Sequence, residues 1–125
     1  MAKVTIIGAT GNVGTFAAHT IAEIPYVSEI LLVGRNGREN LLCGIAQDMK
    51  DAFAACGNYT ELNWTTDISD TAGSDIVICA AGAARQAGQD RLDLALGNAR
   101  IVASTSRLIS EHAPETTLLL VSNSV

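Results

Sequence analysis

The sequence predicts an α/β protein with a doubly wound parallel sheet in the strand order 3-2-1-4-5. Two observations predict this fold class. Short apolar runs alternate with helical patterns along the 125 residues, which is typical of parallel strands joined by helical crossovers. The runs 76–81 and 118–121 are almost continuously apolar, as expected of strands that are covered on both faces. A chain of this length fits one domain.

The individual elements follow from the periodicity of the apolar residues. The apolar runs predict strands at 3–8, 29–34, 60–65, 74–80 and 117–122. Helical spacing predicts helices at about 12–24, 40–56 and 90–112. The first helix should place one apolar face on the sheet, formed by Val13, Ala17, Ile21 and Ile24. The second carries a longer apolar stripe, formed by Leu42, Ile45, Met49, Ala52, Phe53 and Cys56. This stripe either contacts the sheet or contributes in part to an oligomer interface.

Composition excludes several classes of function. The net charge is −5 and no basic tract occurs, which argues against nucleic acid as a partner. No run of about 18 apolar residues is present, so no membrane span is predicted. Cys43, Cys56 and Cys79 are odd in number and widely spaced, and no Cys/His cluster suggests a metal site. They are predicted to be small buried residues in a reducing compartment, by default the cytoplasm.

Three glycines follow the first predicted strand, and a helical pattern begins directly after them. A strand that turns into a helix leaves N–H groups without partners at the helix start, and glycine lets an anion approach them closely. This combination holds the pyrophosphate of a dinucleotide in Rossmann-type folds. The spacing G-x-x-G-x-x-G is one residue longer than the commonest form, and such turns also occur where a helix packs tightly on a strand. The predicted cofactor-binding residues of this turn are Gly8, Ala9, Thr10, Gly11, Asn12, Val13 and Gly14.

The residues after the second strand bear on the choice of cofactor. An acidic residue about 20 positions beyond the glycines normally binds the adenosine ribose of NAD. Gly34 stands there instead, followed by Arg35 and Asn36. Loss of the carboxylate and gain of a guanidinium favour the 2′-phosphate of NADP, since Arg binds phosphate through two parallel hydrogen bonds. NADP is therefore predicted and NAD use stays open. The alternative is a solvated turn with incidental arginines.

A second loop follows the fourth strand and carries Arg85 and Arg91. In a doubly wound sheet, ligands bind beyond the carboxyl ends of the strands where the strand order reverses, and this loop lies there. Two arginines on a glycine-containing loop could close over a small dianionic substrate. The alternative is that both are exposed surface charges.

Together these residues resemble the lactate/malate dehydrogenase family, specifically its archaeal-type malate dehydrogenases. The resemblance extends to Ser122 and Asn123, which are similar to the family's S/T-N-P-V segment. It implies that Asn98 contacts the cofactor and that Val121 and Ser122 lie near the nicotinamide. It also implies that Arg85 selects a dicarboxylic 2-keto acid, that Arg91 stabilises its reacting carbonyl and that Asn123 hydrogen-bonds the substrate.

The sequence departs from the family in two prolines, which Ala84 and Ser124 replace. These changes should loosen the second loop and alter how Asn123 is presented. The family's catalytic histidine, its aspartate partner and its carboxylate-binding arginine lie beyond the equivalent of residue 125. Residues 1–125 are therefore expected to be the dinucleotide-binding domain alone, without the C-terminal catalytic domain, binding cofactor without turnover. His19 and His112 are expected to be structural, so no catalytic residue is predicted.

The resemblance further implies a small 2-hydroxy or 2-keto dicarboxylic acid as substrate and a homo-oligomeric full-length protein, either dimer or tetramer. A rival interpretation remains for the glycine turn, which also resembles atypical short-chain dehydrogenase relatives that bind NADP as sensors. A freestanding dinucleotide-binding module is another alternative. The loop with Arg85 and Arg91, together with Asn98 and the Ser122-Asn123 pair, favours the malate/lactate pattern.

Overall fold

A parallel sheet of five strands and three helices forms the fold in the computed structural model, which describes residues 1–122. The strands are β1 (Ala2–Ile7), β2 (Val27–Val33), β3 (Glu61–Thr65), β4 (Ile76–Cys79) and β5 (Thr117–Leu120). The helices are α1 (Asn12–Ile21), α2 (Glu39–Ala55) and α3 (Arg91–His112). The strand order is β3-β2-β1-β4-β5, which confirms the predicted order. Each element lies within a few residues of its predicted position.

The sheet separates two apolar clusters because its inner strands are buried on both faces. Along β2, Ile30 and Leu32 belong to the cluster that α1 and α2 cover. The alternate residues Leu31 and Val33 belong to the opposite cluster, to which α3 contributes Ile109. Successive side chains of a strand point to opposite faces, so a continuously apolar strand serves both layers at once.

The register of the central strands determines where the chain leaves the sheet. Ile7 at the end of β1 pairs with Val33 of β2 on one side and with Cys79 of β4 on the other. The segments after these three residues therefore emerge together at one edge. The strand order reverses between β1 and β4, where the chain passes from one half of the sheet to the other, and ligands bind at such a position in open α/β sheets.

A short 3₁₀ helix at Ile68–Thr71, which the sequence analysis did not predict, leads from β3 toward β4. Asp67 caps it by accepting hydrogen bonds from the Ser69 hydroxyl at 2.7 Å and the Ser69 amide at 2.9 Å. These bonds from Ser69, with a smaller contribution from the charge of His112, hold the pKa of Asp67 below its usual value of 3.8.

The predicted apolar face of α1 is wrong in part. Val13 is 56% exposed, and Ile24 lies beyond the end of the helix and is 43% exposed. Ala17 and Ile21 do pack against the core. The buried line along the helix consists instead of small residues, Gly14, Ala18 and Ala22. Small side chains let a helix approach the sheet closely, so the larger apolar residues lie at the flanks of the contact.

The apolar stripe of α2 is mostly confirmed as a core contact. Leu42, Met49 and Phe53 are buried, whereas Cys56 at the end of the stripe is exposed. Its contribution to an oligomer interface stays a prediction.

Two further burial predictions are wrong. Leu119 and Leu120 of β5 are about half exposed, at 47% and 51%, because β5 is an edge strand that pairs only with β4. Cys43 is exposed, like Cys56, since it points away from the sheet on α2, and only Cys79 is buried. Burial raises the pKa of the Cys79 thiol.

Candidate functional site

The structure explains the presence of glycine differently at each of the three glycine positions in the turn after β1. Gly8 has a φ of +80°, and a Cβ there would lie 2.7 Å from the backbone carbon of Ala80. A Cβ on Gly14 would lie 2.5 Å from the Gly8 carbonyl oxygen. Gly11 differs, because its φ of −85° is ordinary and its nearest contact to an added Cβ is Gly8 O at 3.5 Å. The fold therefore requires glycine at two of these positions but leaves room for a side chain at Gly11.

The turn is held in place from the first turn of α1. The hydroxyl of Thr15 donates to the carbonyl of Gly11 at 2.8 Å and approaches that of Ala9 at 3.2 Å. The first regular hydrogen bond of the helix runs from the Thr15 amide to the Gly11 carbonyl oxygen, at 3.0 Å. The amides of residues 12–14 precede it and therefore have no acceptor within the regular helical pattern. Gly11 occupies the N-cap position, and the first turn contains no acidic residue. The positive end of the α1 dipole is thus open to an anion.

A cavity of about 520 Å³ adjoins this turn at the carboxyl edge of the sheet. Its lining residues come from the glycine turn, the ends of β1 and β2, the segments after β2, β3 and β4, and one face of α3. They are Ile7, Gly8, Thr10, Gly11, Val33, Gly34, Arg35, Thr66, Ile68, Ala80, Ala81, Gly82, Ala83, Ala84, Ile101 and Thr105. The cavity thus combines the glycine turn, an arginine and an apolar wall, a combination of polar and apolar groups typical of small-molecule sites.

Not every predicted residue of the turn faces this cavity. Ala9 is fully buried and contributes its side chain to the core. Asn12 and Val13 are exposed at the start of α1 and are outside the cavity lining. Their predicted contacts with a ligand could therefore be made only through backbone amides or from outside the cavity.

The segment after β2 brings two of its three predicted residues to the cavity. Gly34 and Arg35 line it, whereas Asn36 is exposed and lies outside the lining. Within residues 1–122 the Arg35 side chain forms no hydrogen bond or ion pair. A Cβ at Gly34 would lie 3.0 Å from Cδ2 of Leu42. Packing against Leu42 is therefore one reason for the absence of a side chain at position 34.

The loop after β4 is fixed by hydrogen bonds at its base and near its tip. The buried side chain of Asn98 accepts a hydrogen bond from the Ala83 amide at 2.8 Å through Oδ1. Arg85 donates from Nε to the carbonyl of Gln89 at 3.1 Å, and the Gln89 side chain accepts from the Gln86 amide at 3.1 Å. These contacts restrain a segment in which Ala84 was expected to leave the backbone looser.

Of the predicted substrate arginines, Arg85 lies on this loop and Arg91 is the first residue of α3, and neither lines the cavity. Arg85 and Arg91 are both exposed, and the cavity lining ends at Ala84. Asn98 lies beneath the loop and outside the lining, so its cofactor contact stays a prediction.

The end of β5 approaches the same edge of the sheet. Val121 donates its amide to Cys79 O at 2.9 Å, which continues the pairing with β4. The Ser122 hydroxyl oxygen is buried and has no hydrogen-bond partner among residues 1–122. Neither residue lines the cavity. Asn123 lies outside the described residues.

The predicted site residues include only five of the sixteen residues that line the cavity, and those missed include Thr66, Ile68, Ile101 and Thr105. Thr66 directly follows β3, so the rule that ligands bind beyond the carboxyl ends of strands could have identified it. Ile101 and Thr105 are four residues apart and share one face of α3. Ile68 belongs to the unpredicted 3₁₀ helix and had no sequence signal.

The histidines lie away from the cavity. His19 is exposed on α1, and its ring meets that of Phe53 edge to face at 5.8 Å between centroids. His112 is the last residue of α3, where a cation complements the helix dipole. Across residues 1–122, no group of three or more His, Cys, Asp or Glu side chains is arranged to hold a metal ion. No helix in the same range is long and apolar enough to cross a bilayer.

Comparison with known proteins places this geometry in a family. The model of the lactate/malate dehydrogenase NAD-binding domain matches residues 2–125. Malate dehydrogenase from Methanosphaera stadtmanae is 40% identical over 125 residues, which are all of this chain and 39% of the relative. The L-2-hydroxycarboxylate dehydrogenase (NAD(P)(+)) of Methanocaldococcus jannaschii is 37% identical over 127 residues, covering 98% of this chain and 40% of the relative.

Solved structures agree with the sequence relatives. Malate dehydrogenase from Archaeoglobus fulgidus in complex with NADH has a TM-score of 0.88 and 39% identity, over 97% of this chain and 40% of that one. The chain thus spans about two fifths of the length of the relatives that it matches. The short-chain dehydrogenase alternative is not favoured. The glycine turn, the predicted strand order and the match over residues 2–125 agree, and the chain belongs to the lactate/malate dehydrogenase family as its NAD-binding domain.

Proposed function

We propose that this chain binds a nicotinamide dinucleotide in the cavity above the glycine turn, as the cofactor-binding part of a malate dehydrogenase. The observation that carries the proposal is Gly11. A Cβ there would fit the fold, yet the position lines the cavity beside the open amides of α1. Its bare backbone is explained by a phosphate that approaches closely rather than by packing.

The proposed cofactor is NADP, with NAD also accepted. The pyrophosphate would lie on the amides of residues 12–14 and the adenosine ribose beside Gly34 and Arg35. The open Arg35 guanidinium and the missing carboxylate at Gly34 support a 2′-phosphate. Of the relatives, the Methanocaldococcus jannaschii enzyme carries NAD(P)(+) in its name, and the Archaeoglobus fulgidus structure contains NADH.

The proposed substrate is a small dicarboxylic acid, oxaloacetate or malate. The Arg85 guanidinium uses only Nε for its bond to Gln89 O, and its terminal nitrogens can bind a second carboxylate of the substrate. Arg91 would stabilise the reacting carbonyl and Asn123 would hydrogen-bond the substrate. Val121 and Ser122 would lie at the nicotinamide end, and the Ser122 hydroxyl, which has no hydrogen-bond partner within residues 1–122, supports a polar partner there.

The bound cofactor would supply or accept the hydride, while residues 1–125 bind and orient it. No catalytic acid or base is proposed within this chain, which would bind cofactor without turnover as a dinucleotide-binding domain. His19 supports this assignment, since it contacts Phe53 rather than the cavity. A homo-oligomeric full-length enzyme stays a prediction. Free and exposed Cys43 and Cys56 support a reducing compartment such as the cytoplasm.

The test is the dissociation constant of NADH and NADPH for the wild-type protein and for Gly11→Ala, measured by fluorescence. The added methyl group should weaken both cofactors by about tenfold or more, since it occupies the space that the phosphate needs. The matched control is Gly44→Ala, an exposed glycine within α2 whose added Cβ meets nothing within 4 Å. This control should leave both constants unchanged and stabilise the fold by about 0.5–1 kcal/mol. Absence of binding to the wild-type protein, or equal binding by Gly11→Ala, would refute the proposal.

The substrate assignment needs the full-length active enzyme that contains this chain. There, Arg85→Gln should lower kcat/KM for oxaloacetate relative to pyruvate, because the second carboxylate loses its charged partner. An unchanged ratio would mean that Arg85 does not select the substrate.

A further inference from the structure

The loop between β2 and α2 contains an anion of its own beside the proposed ribose site. Gly37 has a φ of +88°, and its amide donates to Oε1 of Glu39 at 3.1 Å. The neighbouring backbone amides, first that of Glu39 itself and then that of Gly37, lower the pKa of Glu39 below its usual value of 4.5, so the group is charged at neutral pH. The loop thus combines Arg35 and Arg38 with the Glu39 carboxylate, which already accepts a hydrogen bond from the loop backbone.

The two helix starts at this edge of the sheet contrast with each other. α1 has glycine at its N-cap and no acidic residue in its first turn. α2 has Glu39 in its first turn, and the carboxylate folds back onto the loop. An anion near the start of α1 faces amides that no acidic side chain occupies. An anion near the β2–α2 loop faces the Gly37 amide, which already has an acceptor, and the negative charge of Glu39.

Resting on the proposed function, we propose that Glu39 is a specificity-determining residue that sets the ratio of NADPH to NADH affinity. A single residue, Asn36, separates Gly37 from Arg35, which lines the cavity where the adenosine ribose would lie. A 2′-phosphate bound to Arg35 would approach the Glu39 carboxylate, which repels it and occupies the Gly37 amide that it could use. A ribose hydroxyl carries no charge and meets neither obstacle. Glu39 therefore lowers the preference for NADPH that Arg35 creates and keeps NADH usable.

Two substitutions separate the charge from the hydrogen bond. Glu39→Gln keeps an acceptor for the Gly37 amide and removes the charge. Glu39→Ala removes both and frees the amide. We expect Glu39→Gln to lower the Kd of NADPH about fivefold with that of NADH unchanged, the size of one screened charge pair at a protein surface. Glu39→Ala should lower it at least as far if the variant keeps its fold, which its melting temperature checks.

The control is Glu23→Gln, which removes an exposed carboxylate at the opposite edge of the sheet, where Glu23 lines another cavity with Met1 and Asn58. This variant has the same change in net charge and should leave the ratio of the two Kd values as in the wild-type protein. The effect of Glu39→Gln should also shrink in 1 M salt, where the Debye length is about 3 Å.

The outcomes distinguish this inference from the function on which it rests. If the wild-type protein binds NADH and both Glu39 variants have the wild-type ratio of the two Kd values, the specificity role is overturned and the proposed function stays intact. Equal changes for NADH and NADPH would also overturn it, since they would mean that Glu39 only orders the loop. If the wild-type protein binds neither NADH nor NADPH, both the proposed function and this inference fail.

Discussion

Introducing a carboxylate at Gly34 tests the assignment of the ribose site most directly. Gly34 lines the cavity at the end of β2, where an acidic residue would reach the ribose hydroxyls of NAD. The change Gly34→Asp should therefore shift the preference from NADPH toward NADH.

The steric cost of the substitution can be worked out from the neighbours of Gly34. Its new Cβ would lie 3.0 Å from Cδ2 of Leu42 and 3.7 Å from Cδ1 and Cγ. Leu42 is fully buried, so its side chain must shift by a few tenths of an ångström within a packed core. We expect a loss of about 1 kcal/mol in the free energy of unfolding, at the lower end of the range for overpacking.

The effect on binding is electrostatic. Repulsion between the new carboxylate and the 2′-phosphate should cost about 1–2 kcal/mol at the effective dielectric of a protein surface. Hydrogen bonds from the new carboxylate to the ribose should strengthen the binding of NADH by about 1 kcal/mol, so both effects shift the preference toward NADH. Since 1.4 kcal/mol corresponds to a factor of ten, the ratio of the two Kd values should change by about 50-fold.

The assay measures both Kd values by cofactor fluorescence, with Gly34→Ala as the control. Alanine introduces the same contact with Leu42 without the charge, so it should lower stability similarly and leave the ratio unchanged. A wild-type ratio in a folded Gly34→Asp protein would refute the placement of the ribose at Gly34. A shift of equal size in Gly34→Ala would refute the electrostatic explanation.

Three further predictions concern the fold. Met49→Ala in the core beneath α2 should lower the free energy of unfolding by about 2–5 kcal/mol in urea titrations, because it leaves a cavity where Met49 is almost fully buried. Cys43 and Cys56 should react rapidly with a thiol reagent in the native protein, because both are exposed. Cys79 should react only after unfolding, since it is buried and its pKa is raised. Rapid reaction of all three thiols would contradict the burial of Cys79. Asp67→Asn should be less stable than the wild type at pH 7. Because the pKa of Asp67 is depressed in the fold, this difference should disappear as the pH falls below 3.8, and a difference that persists at pH 2 would exclude the linkage.

The sheet could be predicted from the sequence because each of its determinants is local. A strand buried on both faces needs an almost continuous apolar run; β2 and β4 have one, and in β1 only Thr5 interrupts the run from Val4 to Ile7. The alternation of these runs with helical periods then leaves few topologies, which explains why the strand order was predicted correctly.

The buried face of α1 could not be predicted in the same way, because a search for helical spacing identifies large apolar residues and overlooks small ones. The buried residues of α1 are Gly14 and Ala18, and their small size lets the helix pack closely on the sheet. Val13 satisfies the helical period but lies on the flank of that contact. Cys43 shows a related limit, because a small residue on α2 has the same sequence signal whether it faces the sheet or the solvent.

Residues of the candidate site whose place follows directly from a strand end could be predicted from the sequence, whereas contacts made by side-chain hydrogen bonds could not. The glycine turn and Gly34 follow from their places after β1 and β2. Glu39 gave no signal as an internal acceptor, since its bond to the Gly37 amide depends on the loop conformation. The contact of Asn98 with Ala83 likewise joins residues 15 positions apart.

The glycine motif as a whole is weaker evidence for a ligand than its separate positions. Gly8 and Gly14 would be required even in a protein that binds nothing, because a Cβ at either would meet backbone atoms at 2.7 and 2.5 Å. An alanine at Gly8 should therefore lower the melting temperature whether or not cofactor is present, since the positive φ and the contact with β4 strain the fold. An alanine at Gly11 should weaken binding in a protein that still folds. Only the second result reports on the phosphate, so the functional content of the motif rests on the one glycine that the fold does not demand.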